Sequence, residues 1–167
     1  MEITNYKLEP FKILFYEKDT TDYALIVKPP YKENHPYQSY LKLTLIYADG
    51  TEKYIKFYDY SEVAEEFSYY ELILSVKRLF IADWTYWGII NLATFEIEKL
   101  EYSEFGVYLQ KIKNTIVIDD ELIIYAYDLN GNLIDEQPID PPTEWKVFED
   151  YLEMESPVFG KRKLKII

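Results

Sequence analysis

Carboxylates beside tryptophans are the residues in this chain best placed by type to do chemistry. Asp83, Asp119, Asp120 and Glu121 fall near the ends of expected strands, and Trp84 and Trp87 follow Asp83 closely. Glycoside hydrolysis needs two acids across a cleft, and an indole can stack on a sugar ring. The chain holds 30 acids, so some meet aromatics by chance, and a carbohydrate-binding or carbohydrate-active β domain is kept as the alternative reading. His35 is the sole imidazole, the side chain whose ordinary pKa lies nearest neutrality. It sits in a Pro-rich loop with no Gly-x-Ser-x-Gly elbow to serve, which makes it a solvated loop residue. Neither a Gly-x-Gly-x-x-Gly motif nor a Walker loop occurs among only 5 glycines, so no phosphate cradle is expected.

The spacing Asp128-x-Asn130-x-Asn132 places oxygens as a calcium loop does. Such a loop needs glycine at its sixth position and glutamate at its twelfth. Here Gly131 is fourth and Ile139 twelfth, and a hairpin turn accounts for the same residues. Without cysteine there are no disulfides, no thiolate nucleophile and no cysteine zinc site. No catalytic residue, metal or cofactor is assigned.

The strongest functional signal is an acidic block interleaved with aromatics. Between Asp135 and Glu155 there are eight acids and a single base, Lys146. Trp145, Phe148 and Tyr151 lie inside that block. A second acidic patch, Glu62, Glu65 and Glu66, precedes Tyr69 and Tyr70. Charge runs are ordinarily solvated faces. Aromatic anchors ringed by carboxylates combine desolvated binding energy with fast encounter of a basic partner. The candidate partner-binding residues are therefore Glu144, Trp145, Glu149, Asp150 and Tyr151, with Glu62, Glu65 and Glu66 secondary. The net charge of −12 disfavours nucleic acid and anionic membranes. In character the chain is similar to the small acidic immunity proteins that neutralise toxic nucleases. That similarity implies a non-catalytic inhibitor of a basic protein, a toxin or nuclease. Self-association through the tyrosine-rich surface is a further expectation, since the chain has 18 Tyr, 9 Phe and 3 Trp.

The elements that must hold these residues are mostly strands. Phe11 to Tyr16, Tyr23 to Val27, Tyr40 to Ala48 and Thr51 to Tyr58 alternate or are rich in β-formers, and Asp49-Gly50 joins the last two as a hairpin turn. Ser61 to Tyr70 has helical spacing behind a Ser cap. A second helix is expected after Thr143, with Trp145, Phe148 and Leu152 on one stripe. Between them runs a meander from Leu79 to Glu136, with Asn130-Gly131 as another hairpin turn. The basic tail from Pro157 to Ile167 is expected to add an edge strand. The expected core is Phe11, Ile13, Phe15, Leu41, Leu43, Leu45, Ile55, Phe57, Ile89, Ile118, Leu122 and Ile124.

Within the meander, Ile81, Asn91-Leu92 and Ile97 recur as Ile118, Asp128-Leu129 and Ile134, each 37 residues later. These passages resemble strand pairs of β-propeller blades: a hydrophobic strand, Asp/Asn-Leu, a turn and a returning strand. The fold class expected is mainly β, an antiparallel meander or curled sheet under one or two short covering helices, with propeller-like blades as the second arrangement. One globular domain over 1–167 is expected. The N-terminus shows no signal-peptide pattern and no apolar run reaches about 18 residues, so a cytoplasmic protein is the default.

Overall fold

Asp49-Gly50 does what its residue types require. Gly50 takes φ 81°, its N–H donates to the Tyr47 carbonyl, and the Thr51 N–H and hydroxyl both donate to the Asp49 carboxylate. A residue with a side chain pays steric energy at that φ, and glycine does not. The computed structural model describes residues 2–13, 19–29, 36–59, 69–83, 86–103, 106–140 and 144–167. It groups the chain into two compact units, Met1–Glu66 and Phe67–Ile167.

The first unit is one mixed sheet. Its strands are β1 (Ile3–Lys12), β2 (Tyr23–Val27), β3 (Ser39–Tyr47) and β4 (Glu52–Asp59), in the order β1-β3-β4-β2. All pairs are antiparallel except β2 with β4. Strand side chains alternate between faces. Leu41, Leu43 and Leu45 therefore share a buried face with Ile55, Phe57 and Val27. The opposite face carries Tyr40 and Lys42 beside Tyr58 and Lys56. Phe11 belongs to that second face, where it pairs with Tyr40 and stacks on it at 5.1 Å. It is thus not core, because β1 begins at Ile3 and its partner strand sets the register. Ile13 follows β1 and is half-buried, and Phe15 lies outside the described residues.

Lys56 organises the second face. Its ammonium is 2.6 Å from Asp19 and 3.9 Å from the Tyr40 ring centre, with Tyr23 and Tyr58 at 5.0 and 5.1 Å. Only 8% of the Lys56 side chain is exposed. Lys42 stands directly opposite Lys56, a like-charge pair that costs stability unless neutralised. Asp19 supplies the neutralising charge, and the Tyr23 hydroxyl donates to the same carboxylate.

The second unit holds three antiparallel sheets. The first consists of β5 (Tyr69–Ile73), β6 (Arg78–Ala82), β7 (Tyr86–Asn91) and β8 (Glu96–Tyr102). The second consists of β9 (Tyr108–Ile112), β10 (Thr115–Asp119), β11 (Ile123–Asp128) and β12 (Leu133–Pro138), and the third of β13 (Glu144–Val147), β14 (Tyr151–Ser156) and β15 (Gly160–Lys165). The 37-residue offset is structural. Arg78 pairs with Asn91 as Thr115 pairs with Asp128, and both sheets carry a bulge at the same place, Ile89/Ile90 and Ala126/Tyr127. The bounds of β11 shifted by the same offset are those of β15.

The sheets stack through their faces. Phe80, Trp87 and Ile89 of the first meet Ile116, Ile118 and Tyr127 of the second in one cluster. Val117, Ile124 and Ala126, on the other face of the second sheet, meet Leu152, Met154 and Leu164 of the third. Burial on both sides explains why Ile116-Val117-Ile118 is a continuous apolar run rather than an alternation.

The mainly β, antiparallel expectation therefore holds, with the strands shared among four sheets, none of which closes into a barrel among the described residues. The helix expected from Thr143 through Leu152 is replaced by the β13–β14 hairpin. Leu152 and Met154 are fully buried and alternate with Glu153 and Glu155, a period of two that outweighs the helical spacing of Trp145, Phe148 and Leu152. Of the expected helix at Ser61–Tyr70, residues 61–68 lie outside the described residues, and Tyr69 and Tyr70 open β5. Among the described residues helical structure is confined to a 3₁₀ turn, Leu74–Val76, and no helix is long and apolar enough to cross a membrane. Leu122 is 52% exposed, because the Asp120–Leu122 turn lifts it out of β11.

Candidate partner-binding surface

The third sheet brings together the residues chosen from sequence in the C-terminal block. Glu144 and Trp145 lie on β13, Glu149 and Asp150 at the bend after it, and Tyr151 opens β14. The bend is closed by the Phe148 N–H donating to the Tyr151 carbonyl. It leaves Phe148 stacked on Tyr151, ring centres 4.7 Å apart and planes 12° from parallel. Phe148 remains 40% exposed, and Glu149 and Asp150, which join it to Tyr151 in the chain, are exposed. Among the described residues neither carboxylate is ion-paired, and the nearby Lys113 ammonium donates to the Glu149 carbonyl instead.

Two acids of the block, Glu153 and Glu155, are faced by lysines of the tail. β15 runs antiparallel to β14 and sets Lys163 opposite Glu153 and Lys161 opposite Glu155. Lys161 also pairs diagonally with Glu153 at 3.8 Å. Lys163 stands 4.2 Å above the Tyr151 ring. An excess of negative charge persists at the edge, where Glu144 faces Glu155 directly. A shallow groove of about 100 Å³ lies there, lined by Glu144, Lys146, Glu153, Glu155 and Lys161 with Trp145 and Met154. Trp145 packs partly into the core against the second sheet, so it is an anchor of the hairpin more than a free contact. Glu62, Glu65 and Glu66 lie outside the described residues, as do His35 and Trp84.

Of the acids expected to serve carbohydrate chemistry, Asp119 and Asp120 are engaged in their own turn, while Asp83 lies apart at the end of β6, its N–H donating to the Tyr86 carbonyl. Asp119 accepts the Glu121 N–H, and Asp120 accepts the N–H groups of Leu122 and Ile123. Glu121 sits at φ 68°, held there by these bonds. Burial raises the Asp119 carboxyl above its usual range, although the Glu121 N–H opposes the shift. Asp128 likewise binds its own turn, accepting from the Asn130 and Asn132 N–H groups and the Asn132 amide, which is the hairpin reading of that segment. Trp87 is fully buried between two sheets, with the Lys99 ammonium over its ring, and presents no open face to a sugar.

Sequence reasoning missed a second aromatic cluster because its members are far apart in the chain. Trp87 meets Tyr125 at 5.1 Å and Tyr127 at 5.9 Å, and the Lys99 ammonium lies 4.9, 5.3 and 5.8 Å from the centres of Trp87, Tyr125 and Tyr127. Burial, with Asp120, Glu136 and Glu101 adding repulsion, pushes the Tyr125 phenol up to about 12. Only the β-strand spacing of Tyr125 and Tyr127, two aromatics on one face, signalled it in sequence.

No family model and no curated protein matches this chain. Among solved structures it is similar to BamB from Moraxella catarrhalis, at 14% identity and a TM-score of 0.37, over 82% of this chain and 42% of that one. The chain thus spans less than half the length of that structure.

Proposed function

We propose that this protein is a non-catalytic protein-binding module that occludes a basic partner, as an inhibitor or immunity-type protein does. The observation that carries the reading is the β13–β14 bend, where exposed Phe148 stacks on half-buried Tyr151 beside two unpaired carboxylates, Glu149 and Asp150. An aromatic ring left exposed in this way contributes strongly when a partner covers it. The carboxylates steer a basic surface towards it and weaken as salt shortens the Debye length to about 8 Å. Glu144 and the edge groove extend the acidic surface along β13.

Affinity capture with the full chain tests the reading at low and high salt, with mass spectrometry of what is retained. One stoichiometric basic protein is expected, released by salt, by joint Glu149→Lys and Asp150→Lys substitution, and by Phe148→Ala. Truncating a central aromatic anchor costs about 2 kcal/mol or more. Capture of the same proteins by the wild type and by the charge-reversed chain would refute the assignment.

A further inference from the structure

The three rings of Trp87, Tyr125 and Tyr127 are mutually inclined at 32° to 56° and enclose one ammonium, that of Lys99, at nearly equal distances. We propose that this cluster is a binding cage for a quaternary or methylated ammonium group, which enters by displacing Lys99. Ring faces attract cations, and the pull is most effective for a weakly hydrated one. A primary ammonium such as that of Lys99 gives up strong hydration to sit there. Lys99 keeps access to solvent. Its ion pair with Glu101 is 3.7 Å long, and the two side chains are 32% and 53% exposed.

Two further features favour a guest from outside. Glu101, Glu136 and Asp120 act on the Tyr125 phenol and make the rim of the cage negative, which suits a cation. The Trp87 indole N–H is buried and has no hydrogen-bond partner, and the buried Tyr127 hydroxyl faces only the Lys99 ammonium that the guest displaces. A guest with an acceptor oxygen beside its cationic centre satisfies those donors as well. The shared chemistry is a methylated ammonium, whether carried by a small betaine-like molecule or by a methylated lysine of a protein. This site is separate from the Phe148–Tyr151 bend, so either assignment can fail without the other.

Titration of the full chain at constant ionic strength, read by calorimetry and by the Trp87 indole N–H resonance, tests it. The titrants are tetramethylammonium chloride, glycine betaine and a short peptide bearing trimethyllysine, with sodium chloride as the control. A tethered guest competes at a high effective concentration. Lys99→Gln is therefore expected to bind tetramethylammonium saturably and at least tenfold tighter than the wild type, with the indole resonance moving. Tyr125→Leu is expected to abolish the gain. Tighter binding of betaine than of the peptide assigns the site to a small molecule, and the reverse assigns it to a methylated protein. Equal affinity in wild type and Lys99→Gln, or no saturable shift in the folded variant, would overturn the proposal. Lys99→Met keeps the aliphatic stem and gives the same reading if Lys99→Gln fails to fold.

Discussion

Lys56 and Lys99 are two solutions to one problem, an ammonium set among three aromatic rings. In the first unit Lys56 is closed in. Its partner Asp19 is 2.6 Å away, and almost none of the lysine side chain reaches solvent. In the second unit Lys99 lies over its rings with a third of its side chain exposed and a distant glutamate. A buried charge must keep its partner, because separation leaves an uncompensated ion in a low-dielectric site. An exposed pair contributes little. The difference teaches that the same constellation locks a sheet face in one place and forms an exchangeable lid in the other.

The comparison would break first at Asp19. Asp19→Ala strands Lys56 and is expected to destabilise the protein by about 3 kcal/mol, measured by urea unfolding. Adding Lys56→Met should recover most of that loss, since an apolar residue can occupy the space without a charge. Gly88→Ala comes next. A Cβ there would lie 2.9 Å from the Lys99 backbone carbonyl, so the strand carrying Lys99 must shift, at a cost of about 1–3 kcal/mol. Lys99→Met should cost less than about 1 kcal/mol, as exposed pairs do.

Acid sharpens the contrast further. Burial works against the charge of Asp19, but hydrogen bonds from Lys56, Tyr23 and Thr21 outweigh it and hold its carboxyl well below the usual range. The unfolded chain, with an aspartate pKa of about 3.9, then takes up the proton first. The stabilisation is complete above that value and lost as pH falls towards the folded value. Asp119 has the opposite sign, since burial raises its folded pKa. Its contribution is complete below about pH 3.9 and lost as pH rises through the raised folded value. Asp119→Asn keeps an acceptor for the Glu121 N–H and is expected to raise stability slightly at pH 7, with a steeper acid limb because the opposing contribution of Asp119 is gone. Paired unfolding curves from pH 3 to 7 check both signs.

What was legible in the sequence was what repeats locally. The Asp49-Gly50 and Asn130-Gly131 turns, the buried Leu41-Leu43-Leu45 face and the 37-residue offset all follow from residue types a few positions apart or from simple recurrence. The C-terminal helix was misread because Trp145, Phe148 and Leu152 match a helical stripe across what is a bend. The alternation of Leu152 and Met154 with glutamates, answered by Lys161 and Lys163, carried the better signal. The Phe148–Tyr151 stack depends on that bend and could not be read from the helix. Lys56 meets Asp19 through the segment leading into β2, and Lys99 meets Tyr125 through sheet packing, neither of which a single sequence encodes in any local pattern.

Competitive labelling of lysines in the folded protein tests the contrast between the two cages most directly. A brief pulse of an amine-reactive acetylating reagent, followed by proteolysis and mass spectrometry, reports each lysine separately. The account predicts that Lys99 reacts at a rate close to that of exposed lysines such as Lys161, while Lys56 is protected until the protein unfolds. Equal protection of both, or faster labelling of Lys56, would contradict it.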